Sequence, residues 1–354
     1  MPTSVTRRQF LERSLSATAL AAAAPVVGGV TSGAQARRMF ISQNGAVAPR
    51  TNWPDSARLA ARVGYGGIDW GLPAAKAAGL DATRALFAEL TLQPTVVNLP
   101  MSAGVLFGPE PAYREGLTGL AADAAFVAGV GCARMMFVLT PQSARPRDEH
   151  RALVRDRLAG VGEVLARHNI RLGLEFLGPL CMRSQTGCGP ATPAAPPAPG
   201  APAAPPAPSA PSAPSAPSAP SRIPFIWTLP DTVALGRDSG PNIGVVLDIW
   251  HWYHSGGTVA DILATDPKRI VHVHLSDARP MAAEDVRDNM RLMPGEGSID
   301  TTGFLKALAA IGYEGGLAPE PLGRIPADMA PEDASRLGYQ TTLAALRRAG
   351  IPGF

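Results

Sequence analysis

Two continuous apolar runs, Gly244-Val-Val-Leu-Asp248 and Ile270-Val-His-Val-His-Leu275, constrain the fold more than any other feature of this chain. A short unbroken apolar run bounded by turn residues reads as a strand buried on both faces, the strand of a parallel sheet flanked by helices. Similar runs recur, separated by stretches of helical period. Strands are expected at Met39–Ser42, Gly66–Trp70, Thr95–Asn98, Ala133–Leu139 and Ile170–Glu175, then at the runs ending at Asp248, carrying His272, and ending at Glu320. Between them fall expected helices over 55–63, 81–90 with Asp81 as N-cap, 112–128, 146–168, 229–239, 259–265 and 302–311. Eight strands alternating with helices predict an α/β protein built as a single (β/α)8 TIM barrel. An open doubly wound sheet is the alternative, but no Gly-rich phosphate loop follows the first strand to favour it.

Two segments stand outside that pattern. Thr6-Arg7-Arg8-Gln9-Phe10-Leu11, the alanine-rich stretch from Leu15 to Val30, and Ala34-Gln35-Ala36 give a basic start, an apolar middle and a small-residue cleavage site. Residues 1–36 therefore resemble a twin-arginine signal peptide. Its apolar part falls short of the roughly 20 residues a membrane span needs. The resemblance implies recognition by the twin-arginine export machinery and a periplasmic or extracellular location. Residues 190–220 are almost wholly Pro, Ala and Ser, a composition that cannot bury a core and reads as a disordered surface insert. Setting both aside leaves roughly 287 residues, about one barrel, running from 37 to 354.

The formal net charge of +3 falls to +1 without the leader, because Arg7, Arg8 and Arg13 outweigh Glu12 there, so no nucleic-acid partner is implied. Three cysteines are too few for a disulfide scaffold and lack zinc-ribbon spacing. Cys132 opens an apolar run and reads as a buried thiol. Cys181 and Cys188 flank a loop where an exported chain could pair them, but free thiols are the default expectation.

The chemistry sits at strand ends, which form the mouth of a parallel barrel. Leu172-Gly-Leu ends in Glu175, Gly244-Val-Val-Leu in Asp248, and Gly316-Leu-Ala-Pro in Glu320. His272 and His274 are two apart, so both point the same way, into the barrel, with Val271 and Val273 turned toward the helices. His274, nearer the mouth, is the expected ligand, and His272 a hydrogen-bonded residue one layer below. Three carboxylates and one imidazole make a hard, anionic cage for a single divalent metal ion, Mn2+ first and Mg2+ or Co2+ after it. Two Glu on separate strands can also flank a substrate and exchange protons with it, while the metal stabilises an enediolate.

Leu172-Gly-Leu-Glu175, Leu247-Asp248-Ile-Trp-His251, His272-Val-His274-Leu-Ser-Asp277, Pro294-Gly-Glu-Gly-Ser-Ile-Asp300 and Ile311-Gly-Tyr-Glu-Gly-Gly-Leu-Ala-Pro-Glu320 together resemble the sugar phosphate isomerase/epimerase family of xylose isomerase-like barrels. That group includes ketose 3-epimerases, hydroxypyruvate isomerases and inosose dehydratases. The resemblance implies Glu175, Asp248, His274 and Glu320 as metal ligands and Glu175 with Glu320 as the acid/base pair. It implies His251 and Arg291 as substrate contacts, with Arg279 and Arg287 competing for the arginine role. Cys181 stands where ketose epimerases carry another acid, and the proline-rich insert follows it. The expected activity is isomerisation or epimerisation of a ketose, keto-polyol or oxidised glycoside. Dehydration of an inosose or keto-sugar is the alternative, and an endonuclease-IV-like phosphodiesterase or a non-catalytic sugar-binding barrel lies further off. The partner is a small carbohydrate, and assembly as a homo-oligomer stays open.

Overall fold

The computed structural model describes residues 39–184, 188 and 222–354. The expected signal peptide and the whole of the Pro/Ala/Ser insert at 190–220 lie outside these residues. Eight parallel strands close into a barrel: β1 (Phe40–Gln43), β2 (Gly67–Asp69), β3 (Gln93–Asn98), β4 (Arg134–Val138), β5 (Arg171–Glu175), β6 (Ile243–Asp248), β7 (Ile270–Leu275) and β8 (Gly316–Pro319). Each strand pairs with its sequence neighbours, and β8 closes on β1 through Phe40 opposite Gly316 and Ile41 opposite Leu317. The principal outer helices are α1 (Trp53–Val63), α2 (Leu80–Leu90), α3 (Glu110–Val130), α4 (Arg147–Ala166), α5 (Leu229–Ser239), α6 (Val259–Leu263), α7 (Thr301–Ala310) and α8 (Pro331–Arg348). Among the described residues no helix is long and apolar enough to cross a membrane.

The main apolar core lies between the barrel's outer surface and these helices. Leu172, Leu174, Val245, Leu247, Val273 and Leu317 contribute to it from the strands. The other parity of side chains points inward. Val96, Met136 and Val246 pack together apart from the main core and floor the barrel interior. One pleat further along, the residue two places after each floor position faces the mouth. Val246 is thus followed by Asp248 and His272 by His274, both pairs buried.

Sheet irregularity breaks this parity at two places, between Ile68 and Asp69 where β2 pairs with β3, and between β6 and β7. The register between β6 and β7 shifts between Val245 and Val246, so Val245 faces Ile270 while Val246 faces His272. Val271 is buried without joining the main core that holds Val273. A Cβ added at Gly173 would come within 3.0 Å of Val271 Cβ, and one at Gly244 within 3.0 Å of Val271 Cγ2. The expectation that both valines face the helices holds for Val273 and fails for Val271, because the bulge turns it toward the space these two glycines leave.

Other departures are local. Asp81 does not cap its helix: α2 starts one residue earlier, after Gly79, which also ends the preceding helix Leu72–Ala78. The last helix, α8, packs across α1 and β1 and was not delimited from the sequence. Cys181 and Cys188 form a disulfide, against the expectation of free thiols; Cys132 is the buried free thiol expected. The folded chain brings the two halves within 4.5 Å between Cα atoms, a proximity that a spacing of seven residues cannot guarantee. Just past β4, Gln142–Ser143 pairs antiparallel with Ile223–Pro224, the first described segment after the insert.

Candidate active site

The four expected ligand residues converge at the mouth. Asp248 sits opposite His274 across the β6–β7 ladder, and His274 opposite Ala318 on β8. Glu320 follows β8 directly, its N–H donating to Leu275 O at 2.8 Å. One ligand atom from each of Glu175, Asp248, His274 and Glu320 lies within 4.8 Å of the other three. His274 Nδ1 is 2.8 Å from Glu175 Oε1 and 3.4 Å from Glu320 Oε2. Asp248 divides its oxygens by task. Its Oδ1 caps the short helix Ile249–His254, accepting from Trp250 N at 2.7 Å and His251 N at 3.4 Å, and this leaves Oδ2 for the site.

Arg291 reaches this cluster from the loop after β7. Its side chain is 1% exposed. Nη1 donates to Asp248 Oδ2 at 2.6 Å and Glu320 Oε2 at 2.9 Å, and Nη2 to Asp288 Oδ1 at 2.6 Å. Nη2 also donates to His251 Nε2 at 3.1 Å, which sets the neutral Nδ1–H form of that ring. Burial lowers the pKa of His251, the Asp248 charge opposing, and this favours the same neutral ring. Of the three arginines weighed from the sequence, Arg291 is the one in the site; Arg279 is exposed and Arg287 half-buried on the loop. Asp288, which completes the arginine's coordination, was not anticipated.

The electrostatics follow from this crowding. Burial alone would raise Asp248, but the Arg291, His251 and His274 charges override it and hold the carboxyl below the usual carboxylate range. Burial would lower His274, yet Glu320, Glu175 and Asp69 raise it well above the ordinary histidine value. Glu320 goes the other way: burial, with the Glu175 and Asp248 charges, outweighs His274 and Arg291 and pushes it up to about 8. The four candidate ligands are three carboxylates and one imidazole, with the Arg291 guanidinium against two of the carboxylates. The donors suit a divalent cation in chemistry and count, three carboxylates and one imidazole converging on one small space.

Metal binding must then displace protons, and the direction with pH is fixed. Glu320 is pushed up to about 8 and His274 is raised well above the ordinary histidine value, so both must give up protons to an ion and affinity for Mn2+ is expected to rise with pH from 6 to 8. Calorimetric titrations at pH 6, 7 and 8 in buffers of different ionisation enthalpy would read both affinity and proton release. An affinity flat across that range would contradict the assignment of Glu320 and His274 as ligands.

Sequence reasoning missed Asp69, at the end of β2. It lies against His272 Nε2 at 3.2 Å and His274 Nε2 at 3.7 Å, and with these two rings forms a second cluster of potential ligands. Its signal was available, since Gly67-Ile68-Asp69 is an apolar strand ending in an acid like the other three. His272 is the hydrogen-bonded residue below the mouth that was expected, with Asp69 as its partner.

Comparison with known proteins agrees with the geometry. A solved xylose isomerase domain protein from Alicyclobacillus acidocaldarius superposes with a TM-score of 0.72 at 25% identity, covering 88% of this chain and 99% of that one. The fold is the xylose isomerase-like TIM barrel. Residues 218–348, which carry Asp248, His274 and Glu320, match the profile of the xylose isomerase-like TIM barrel family. An inosose isomerase of Halalkalibacterium halodurans is 29% identical over 115 residues, 32% of this chain and 40% of that relative. A 3-dehydroshikimate dehydratase of Pseudomonas aeruginosa is 34% identical over 87 residues, 24% of this chain and 14% of that protein. The matched segments thus span well under half of either relative.

Proposed function

We propose that this xylose isomerase-like barrel is a divalent-metal-dependent enzyme that moves a proton at the carbon next to a carbonyl, isomerising or epimerising a small unphosphorylated carbohydrate. One observation carries the reading: Glu175 from β5 and Glu320 from the end of β8 approach the same imidazole nitrogen, His274 Nδ1, at 2.8 and 3.4 Å. Two carboxylates from separate strands thereby bracket one small space. Glu175, Asp248, His274 and Glu320 would hold the ion, Mn2+ before Mg2+ or Co2+. A bound ion would draw substrate oxygens to itself and lower the pKa of the neighbouring C–H. One Glu takes the proton, and the other, on the far side of the substrate, returns one. Arg291 and His251, joined by their hydrogen bond, lie beside Asp248 and Glu320 and orient a substrate hydroxyl or carbonyl oxygen. Return to the same carbon from the opposite face epimerises it; return to the neighbouring carbon isomerises the sugar.

Loss of a β-hydroxyl after the same abstraction is the second reading, and the likeness to a dehydratase favours it. Export through the twin-arginine route belongs to the proposal as well. It suits an unphosphorylated substrate, and a disulfide such as Cys181–Cys188 persists in oxidising compartments.

The decisive experiment incubates metal-reconstituted protein in D2O with a panel of unphosphorylated ketoses, inososes and keto-glycosides. Deuterium is expected at a carbon adjacent to the carbonyl, only with metal present. A chain that takes up stoichiometric metal yet exchanges no proton with any of them would overturn the reading in favour of a binding protein.

A further inference from the structure

The two clusters of potential ligands share His274, and its ring nitrogens face opposite ways. Nδ1 looks toward Glu175 and Glu320, while Nε2 looks toward Asp69 Oδ2. A neutral imidazole carries one proton, so only one of these nitrogens can offer a lone pair to a cation. Nε2 is buried without a hydrogen-bond partner, and the group that faces it, at 3.7 Å, is Asp69. Its carboxylate is 12% exposed and is held from below by donors that leave it acceptor-only. Ser42 Oγ donates to Oδ1 at 3.1 Å, and Asn44 Nδ2 to Oδ2 at 3.1 Å. His272 Nε2 meets the same Oδ2 at 3.2 Å, its ring edge-on to that of His274 at 89° with centroids 5.0 Å apart. A Cβ at Gly316 would come within 3.2 Å of His272 Cε1, so β8 gives way here for the lower ring.

From this convergence we infer that Asp69 is the positioning residue of the metal centre: it keeps the proton of His274 on Nε2 and so presents the Nδ1 lone pair to the ion. Asp69 touches neither the ion nor the substrate in this arrangement. It acts through His274, in the way a carboxylate behind a metal-bound histidine fixes ring orientation and tautomer. The same assignment removes the second cluster as a metal site. An ion between Asp69, His272 and His274 would need the Nε2 lone pair, which would leave Nδ1 protonated toward Glu175. The inference rests on the proposal that Glu175, Asp248, His274 and Glu320 bind the ion.

The test compares Mn2+ binding by the full chain and its Asp69→Asn variant, which keeps the side chain's size and loses its acceptor-only character. The expected result is a Kd about 10- to 100-fold weaker in the variant, with one ion per chain in both. In the parent loaded with diamagnetic Mg2+ or Zn2+, nitrogen NMR is expected to show His274 protonated at Nε2, and the variant to lose that single form. A role in folding alone would lower the melting temperature of the metal-free chain and leave the Kd within about twofold, which would overturn the inference. Two ions per parent chain and one per variant chain would also overturn it, because Asp69 would then be a ligand. If Asp69→Asn does not fold, Asn44→Ala removes one donor to the same oxygen and must still weaken binding measurably for the inference to stand. A parent that binds no ion would instead strike at the proposed function.

Discussion

A Glu320→Gln chain is expected to fold as the parent does and to lose about 10²–10⁴ of its rate of solvent exchange at saturating metal. The amide keeps an oxygen that can accept from Arg291 Nη1, now 2.9 Å from Glu320 Oε2. It also removes one of three carboxylates that crowd this space, so the metal-free variant should be no less stable than the parent. What it cannot do is exchange a proton with carbon. Metal affinity should fall too, and for that reason the rate must be read at saturation, by following deuterium uptake at the carbon beside the carbonyl. Glu175→Gln should behave alike if both groups hand protons to the substrate. An exchange rate within threefold of the parent at saturating metal would remove Glu320 from the chemistry.

Arg291→Met should destabilise the metal-free protein by about 3–5 kcal/mol, because it strips the guanidinium from buried carboxylates and leaves their charge uncompensated. Asp248 is the most exposed to this loss in energetic terms: its side chain is wholly buried, and its Oδ2 has Arg291 as its 2.6 Å partner. Methionine fills most of the stem's volume, so a cavity adds little. A divalent ion takes over the same charge balance, and saturating Mn2+ should recover part of the deficit. Urea denaturation at pH 7, with and without metal, measures both effects. The acid limb gives an independent sign. In the parent, Asp248 lies below its unfolded value, so its contribution is present above about pH 4 and fades as pH falls through the folded value. That fading should be much reduced in the variant. A metal-free loss under 1 kcal/mol would mean that water, rather than Arg291, solvates these oxygens.

How much of this could be read from the chain follows from what each residue depends on. Strand ends were legible because a buried parallel strand has an apolar signature and its last residue must face the mouth. Glu175, Asp248, His274 and Glu320 each carry that local mark, and the structure brings all four together. Leu229–Ser239 was delimited to the residue, since Thr228 and Gly240 are strong boundary signals. Asp81 failed as a cap because Gly79 already separates two abutting helices there. The orientation of Val271 depended on a bulge between two strands, and no single strand's pattern encodes a register shift. Arg291 could be picked from three candidates only by resemblance, whereas Asp288 had no pattern at all. The Cys181–Cys188 bond required knowing how the loop folds back.

The side chain of Gln142 has a quieter consequence. Its Nε2 donates to the carbonyl of Ser184, just before the insert, and its Oε1 lies 3.5 Å from Arg222 Nη1, just after it. The ribbon between Gln142–Ser143 and Ile223–Pro224 reinforces that meeting point. Gln142 therefore holds Ser184 and Arg222, the described residues on either side of the insert, close together, and Cys188 is tied back to Cys181. Doubling the length of such an insert costs only about 0.6 kcal/mol in closure entropy. This is a natural docking port for protein engineering: a reporter or a foreign domain with adjacent termini, spliced in after Cys188 and before Arg222, should leave the metal centre and its barrel undisturbed.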